Sequence, residues 1–267
     1  MKLTALVENT SAHGLKTVHG LSLYIETSSH HLLFDVGPDD TLFQNARELN
    51  IDLKSVDTVI LSHGHNDHGG ALKQFLEHNH TAQVYVQRKA FEPHYSMSGE
   101  RRHYNGLDQS LIDHPQIHLL DGDTRIDKQL YVFTVSDIST CHSTANDTLY
   151  DDHGLDCFGH EQNLIIQDDV TMLVMGCGHT GIVNILKKAE PFHPTYCIGG
   201  YHLYHPRTKQ TVSTELLSKI AGYMNQYPEI QFDTCHCTGM EAFEYLSSHV
   251  SNMHYLSCGD CIDTASK

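Results

Sequence analysis

Three imidazoles and one carboxylate crowd into six positions, His63-Gly64-His65-Asn66-Asp67-His68. Neutral imidazole nitrogens and carboxylate oxygens are ligands of borderline softness, suited to zinc and acceptable to manganese, iron or cobalt. If the backbone leaves the preceding apolar run extended, His63, His65 and Asp67 point to one side, because side chains alternate with period two. His68 then turns the corner, and Gly69-Gly70 lets the backbone bend tightly. The chain holds 23 histidines in 267 residues, so a merely polar loop is the plain alternative. It is the ligand spacing, not the number of histidines, that favours a metal site.

One hexapeptide supplies at most four ligands, so a reactive centre needs partners further along. Gly176-Cys177-Gly178-His179-Thr180-Gly181 follows an apolar run and opens a helical pattern. Cys235-His236-Cys237-Thr238-Gly239 and Gly199-Gly200-Tyr201-His202-Leu203 repeat that layout. Gly159-His160-Glu161-Gln162-Asn163 precedes a strand pattern instead. Asp35 ends the apolar run Leu32-Leu33-Phe34. A carboxylate there can orient a ligating imidazole through its far ring nitrogen, or cap the turn that follows. Cys258-Gly259-Asp260-Cys261 together with Cys235 and Cys237 is spaced for a structural four-cysteine zinc site.

The elements that must carry these residues alternate along the chain. Apolar, β-branched runs predict strands over 3–8, 21–26, 31–35, 56–62, 82–86, 117–120, 130–134, 163–167, 171–176, 195–198, 230–234 and 254–257. Amphipathic spacing predicts helices over 39–49, 69–77, 181–189, 213–225 and 240–249, the fourth with Ser213 as its cap. Strands and helices mixed in this way imply sheets covered by helices. The segment 90–113 is long for a loop and reads as either a lid or a surface excursion. Its Arg101-Arg102 pair suits a phosphate or carboxylate near a cleft.

Composition narrows the function classes. A formal charge of -16, or -12 with two divalent cations bound (-16 + 4), argues against broad nucleic-acid or anionic-membrane binding. No apolar stretch approaches the roughly 20 residues of a membrane span. The N-terminus turns polar too soon for a secretory signal, so the expected compartment is the cytoplasm, with the eight cysteines reduced.

The ordered motifs Phe34-Asp35-Val36-Gly37, His63 to His68, Gly176-Cys177-Gly178-His179 and a final His236 resemble the metallo-β-lactamase superfamily. Val18-His19-Gly20-Leu21-Ser22, Leu61-Ser62-His63, Gly178-His179-Thr180-Gly181-Ile182-Val183-Asn184, Tyr201-His202-Leu203 and His236-Cys237-Thr238-Gly239 are similar to its 7,8-dihydropterin-6-yl-methyl-4-(β-D-ribofuranosyl)aminobenzene 5′-phosphate synthase-like branch. The resemblance implies an α/β fold (α+β by some schemes), a four-layer αβ/βα sandwich with the metals at one edge. It implies a single domain over 1–267 whose two halves divide near residue 130.

The resemblance also implies two divalent ions, zinc first, with manganese or iron as alternatives. His63 and His65 would hold the first, with His179 ahead of His160 as third ligand. Asp67, His68 and His236 would hold the second, with Cys177 where relatives place a bridging ligand. Asp35 would orient an imidazole, and His19, His202, Arg101 and Arg102 would face substrate. The implied reaction is hydrolysis of a small anionic molecule, phosphorylated or pterin-like. Two cations roughly 3.5–4 Å apart would bridge a water and lower its pKa towards ~7. Asp67 would orient that nucleophile, and His202 would donate a proton to the anion or leaving group. Two alternatives stand beside it: a transferase or synthase of pterin-cofactor biosynthesis at the same site, and a metal-binding or sensing protein without turnover. The expected partner is a small molecule, with homo-oligomerisation left open.

Overall fold

The computed structural model describes residues 1–266. Two seven-stranded mixed sheets form its centre. The first runs in the order Cys261–Asp263, Lys2–Val7, Ser22–Glu26, His31–Phe34, Thr58–Ile60, Gln83–Gln87, Ile117–Leu120. The second runs Met253–Tyr255, Gln231–Thr234, Tyr196–Gly199, Thr171–Val174, Asn163–Gln167, Leu130–Phe133, Thr124–Arg125. Each sheet has an antiparallel half and a parallel half, the latter running His31–Phe34 to Ile117–Leu120 in the first and Thr171–Val174 to Met253–Tyr255 in the second.

Parallel neighbours require crossover connections. The helices Thr41–Glu48 and Leu72–His78 supply them in the first sheet, and Ile182–Ala189, Thr214–Met224 and Met240–Ser247 in the second. Three apolar layers result. Period-two alternation splits each strand between them: Leu33 and Val59 face helices, whereas Leu32, Phe34 and Ile60 enter the layer between the sheets. Leu173 and Cys197 face helices on the other side, and Met172, Val174 and Ile198 point inward. The fold is thus the four-layer αβ/βα sandwich, helix on sheet on sheet on helix. Burial on both faces explains why its strands read as unbroken apolar runs.

This topology positions the chemistry. Parallel strands end on one edge of their sheet, the usual place for ligand sites in such folds. Asp35, His63, Cys177, Gly200 and Cys235 all lie just beyond the C-terminal ends of parallel strands. The chain crosses from the first sheet to the second at 121–123, before the boundary expected near 130, and its last strand, Cys261–Asp263, returns to pair with Lys2–Thr4.

The helix expected over 69–77 is instead Asn66–Gly69 and Leu72–His78. Gly70 separates them, packed so closely that a Cβ there would meet the Asn66 and Pro38 carbonyl oxygens at 2.5 Å. Within 90–113 the chain forms a hairpin, Tyr95–Ser98 with Arg101–Tyr104, extended by Leu149–Tyr150 into a third sheet. Ser213 caps its helix as expected, its Oγ accepting from the Leu216 amide at 3.3 Å.

Candidate metal centre

His63 leaves the end of Thr58–Ile60 fully buried, and His65 caps the short helix that carries Asp67 and His68. Asp35, buried and at φ 61°, organises the start of this loop. Its carboxylate accepts from the Ser62 amide and Ser62 Oγ, each at 2.7 Å, and pairs with His68 Nδ1 at 2.6 Å. Ser62 Oγ in turn contacts His63 Nδ1 at 2.7 Å. The Nδ1 atoms of His63 and His68 are therefore both turned inward, and their Nε2 atoms point out of the sheet edge.

The same logic sets two more rings. His179 Nδ1 meets Asn146 Oδ1 at 2.9 Å, and His236 Nδ1 meets Asn9 Oδ1 at 3.0 Å. An amide oxygen can only accept, so each ring carries its proton on Nδ1 and leaves Nε2 as a lone pair. The loops bearing them are held by two buried carboxylates. Glu161 accepts from the His179 and Thr180 amides at 2.7 and 2.9 Å, and Glu8 accepts from the His236 amide at 2.7 Å.

Three buried ring nitrogens, Nε2 of His63, His65 and His179, have no hydrogen-bond partner. Ligand atoms of these three residues lie within 4.8 Å of one another. An unpaired buried polar atom costs about 1–3 kcal/mol, and three converging lone pairs fit a cation better than they fit anything else. Burial first, then neighbouring imidazoles, push all three well below the ordinary histidine range, which keeps them neutral and able to ligate.

Beside this triad sits a second group. His68 Nε2 lies 3.2 Å from His236 Nε2 and 3.2 Å from Cys177 Sγ. Asp67 Oδ2 lies 3.4 Å from His236 Nε2, 3.4 Å from His19 Nε2 and 3.8 Å from His68 Nε2. Burial would raise the Asp67 carboxyl, but His68, His236 and His19 hold it well below the usual range. Burial would lower His68, but Asp35 and Asp67 outweigh it and lift the ring to about 9. A divalent cation beside Asp67 would take over the role of that positive charge and leave His68 Nε2 with a lone pair to ligate. The donor set of both groups fits the pair of cations expected.

His160 does not join either group. Its Nδ1 accepts from the Gly64 amide at 3.0 Å and its Nε2 donates to Asp156 at 3.1 Å, so both nitrogens are committed. It braces the backbone between His63 and His65. The four cysteines proposed for a structural zinc site point into different surroundings. Cys258 Sγ donates to the Leu6 carbonyl at 3.0 Å, Cys261 is exposed, Cys235 lies between the sheets, and Cys237 lies beside Cys177.

A cavity of about 320 Å³ opens over the two groups. His19, Asp67, Cys177, His202 and Cys237 line it, and the hairpin contributes Ser96, His103 and Tyr104. His202, at φ 47°, has a buried Nδ1 without a partner. Arg101 and Arg102 correct the expectation placed on them: neither lines the cavity. Arg102 stacks 3.6 Å from the centre of the Tyr95 ring and donates to Asp152 at 3.3 Å. Alternation along Arg101–Tyr104 cannot be phased without knowing the hairpin. The cation that does line the cavity is Arg207, whose Nη2 donates to Ser96 Oγ at 2.8 Å. Nothing in its sequence neighbourhood, Pro206-Arg207-Thr208, singles it out. Ser62, Asn9 and Asn146 are likewise not legible in the sequence, because a lone polar residue shows its role only through the ring it touches.

A profile described as the metallo-β-lactamase superfamily matches residues 15–147. An uncharacterised protein of Methanocaldococcus jannaschii, MJ0448, is 28% identical over 96% of this chain and 98% of its own length. From the same organism, 7,8-dihydropterin-6-methyl-4-(beta-D-ribofuranosyl)-aminobenzene-5′-phosphate synthase is 27% identical over 84% of this chain and 82% of its own. Among solved structures, Tm1679, described as a metal-dependent hydrolase of the beta-lactamase superfamily, superposes with a TM-score of 0.82 at 26% identity, covering 99% of both chains. An isothiocyanate hydrolase from Delia radicum gut bacteria shares the fold at a TM-score of 0.60 and 15% identity, over 98% of this chain and 99% of its own.

Proposed function

This chain belongs to the metallo-β-lactamase superfamily, and from that premise we propose that it is a metal-dependent hydrolase acting on a small anionic substrate. The observation that carries the reading is the convergence of three unpartnered, buried Nε2 atoms, on His63, His65 and His179, beside the Asp67, His68 and His236 group. His63, His65 and His179 would hold one divalent cation, zinc first, and Asp67, His68 and His236 the other. Such a pair supplies a water of lowered pKa at neutral pH and a Lewis acid for the developing charge.

The chain's own residues do the rest. Asp35 and Ser62 fix the His68 and His63 rings so that no rotamer search accompanies binding. Asp67, partly exposed to the cavity, is placed to accept a hydrogen bond from an attacking water and aim its lone pair. His202, with Nδ1 unpaired at the cavity wall, can donate to the leaving group. Arg207, which lines the cavity, provides a guanidinium for the substrate's phosphate or carboxylate.

The test is a panel of phosphomonoester, phosphodiester, carboxylic ester and lactone substrates, run on the metal-loaded protein, its chelated form and the variants His65→Ala and Asp67→Asn. Turnover of an anionic member that chelation abolishes and both variants lack supports the reading. Turnover that survives in both variants overturns it. The likeness to a synthase of known product favours a second reading, a transferase in which an amine replaces water as acceptor. Product analysis with and without an arylamine separates the two.

A further inference from the structure

Cys237 takes no part in the ligand set described so far, yet its sulfur lies inside the centre. Ligand atoms of Cys177, His236 and Cys237 all fall within 4.8 Å of one another, and all three residues are buried. Cys177 Sγ is also 3.2 Å from His68 Nε2. The two thiols therefore sit on the same side as the His68 and His236 lone pairs, and both line the cavity.

The surroundings of Cys237 are shaped around its sulfur. The His202 amide donates to Sγ at 3.3 Å, the kind of contact that stabilises negative charge on sulfur, and the thiol donates to the Cys177 carbonyl at 3.4 Å, a bond given up when the sulfur ligates. Gly200 packs against it so closely that a Cβ at that position would lie 2.4 Å from Sγ. A glycine is thus required where the sulfur enters. An inert core thiol would instead be enclosed by apolar side chains, as Cys197 is.

We infer that Cys237 and Cys177 are both thiolate ligands of the cation held by His68 and His236, so that this half of the centre is a sulfur-bearing site selective for zinc, iron or cobalt over manganese and magnesium. The inference rests on the dinuclear reading above and deepens it, because thiolates favour zinc and iron, whereas a carboxylate such as Asp67 also suits manganese and magnesium. On binding, each thiol gives its proton to solvent as its sulfur lone pair enters the metal coordination shell; no electron is transferred.

The full-length protein is loaded with cobalt(II), and its near-ultraviolet thiolate-to-cobalt charge-transfer absorption is recorded alongside the visible bands that report cobalt uptake. The expected result is a charge-transfer band that loses part of its intensity in Cys237→Ser and in Cys177→Ser, and all of it in the double variant. Cys157→Ser and Cys261→Ser, at exposed positions, leave it unchanged. Zinc-edge absorption fine structure should show sulfur neighbours at about 2.3 Å. Two cobalt ions bound without any charge-transfer band would leave the dinuclear centre standing and overturn the thiolate assignment, as would a band unaffected by Cys237→Ser. Failure to take up cobalt at all would overturn both. Should Cys237→Ser fail to fold, the zinc-edge spectrum of the unaltered protein decides alone, since only nitrogen and oxygen neighbours there would contradict the inference.

Discussion

Individual ring nitrogens carry most of the functional reading, and their tautomers follow from single hydrogen bonds. Asp35 pairs with His68 Nδ1 at 2.6 Å without touching the cavity. Replacing Asp35 by Asn keeps the shape but removes the charge, and should weaken metal binding about 10–100-fold, as loss of such orienting partners typically does. Titration with a competing chelator measures it; unchanged affinity would mean that the ring is held by packing alone. His179 and His160 make a sharper pair. His179→Ala should lose one of two bound metal equivalents, whereas His160→Gln should keep both and lose only the brace on the Gly64 amide. Metal analysis of the two purified variants distinguishes these outcomes. Arg207→Ala should raise KM for an anionic substrate roughly tenfold with kcat nearly unchanged, the loss expected of one charge-assisted hydrogen bond. The same change at Arg101 should leave KM unaltered.

Elements place these atoms, and here the sequence was informative in proportion to periodicity. Strands buried on both faces, such as Asn163–Gln167 and Thr171–Val174, announced themselves as apolar runs and fell where expected. So did the helix capped by Ser213. Short elements held by pairing were not legible. The strand Cys261–Asp263 exists because Lys2–Thr4 offers it an edge, and the Tyr95–Tyr104 hairpin is built from polar and exposed residues with no repeating pattern. The hexapeptide His63 to His68 was readable because five of its six residues are polar or titratable at ligand spacing. The choice between His160 and His179 was not, because it depends on where Asp156 and Asn146 fall in three dimensions. Gly64 shows how tightly the loop is packed: a Cβ there would lie 2.5 Å from the Ala90 carbonyl and 2.7 Å from His94 Nε2.

The hairpin turn at His30 gives a pH prediction at the same scale. His30 Nδ1 meets Asp57 at 2.9 Å and Nε2 meets Asp127 at 2.7 Å, tying a turn of the first sheet to the approach of the second. Burial opposes the charged ring, but Asp57 and Asp127 outweigh it and raise its pKa. The folded value lies above the unfolded ~6.5, so the stabilisation is full at lower pH and is lost as pH rises through the folded value. After discounting for the partly exposed carboxylates, about 0.5–1 kcal/mol is at stake. His30→Gln should therefore lower Tm more at pH 5.5 than at pH 8.5; an equal or reversed effect would contradict the assignment.

At the scale of the molecule, two mixed sheets bring together loops from residues 35, 63–68, 177–179, 202 and 236 at one edge of a sandwich. Among the described residues no helix is long and apolar enough to cross a membrane. Converging lone pairs and carboxylates make the ion-free centre costly, so cation binding should stabilise the whole fold. A cation at a hundred times its dissociation constant contributes about 2.7 kcal/mol, worth roughly 5–10 °C in a chain of this size. Calorimetry with and without a chelator measures the shift. The central claim, that these distant histidines and Asp67 cage a pair of cations, is tested most directly by anomalous scattering at the zinc edge from crystals of the metal-loaded protein. Two peaks are expected, one against the Nε2 atoms of His63, His65 and His179, the other against Asp67, His68 and His236. No peak at that edge of the sandwich, or a single peak at His94, Asp156 and His160, would contradict it.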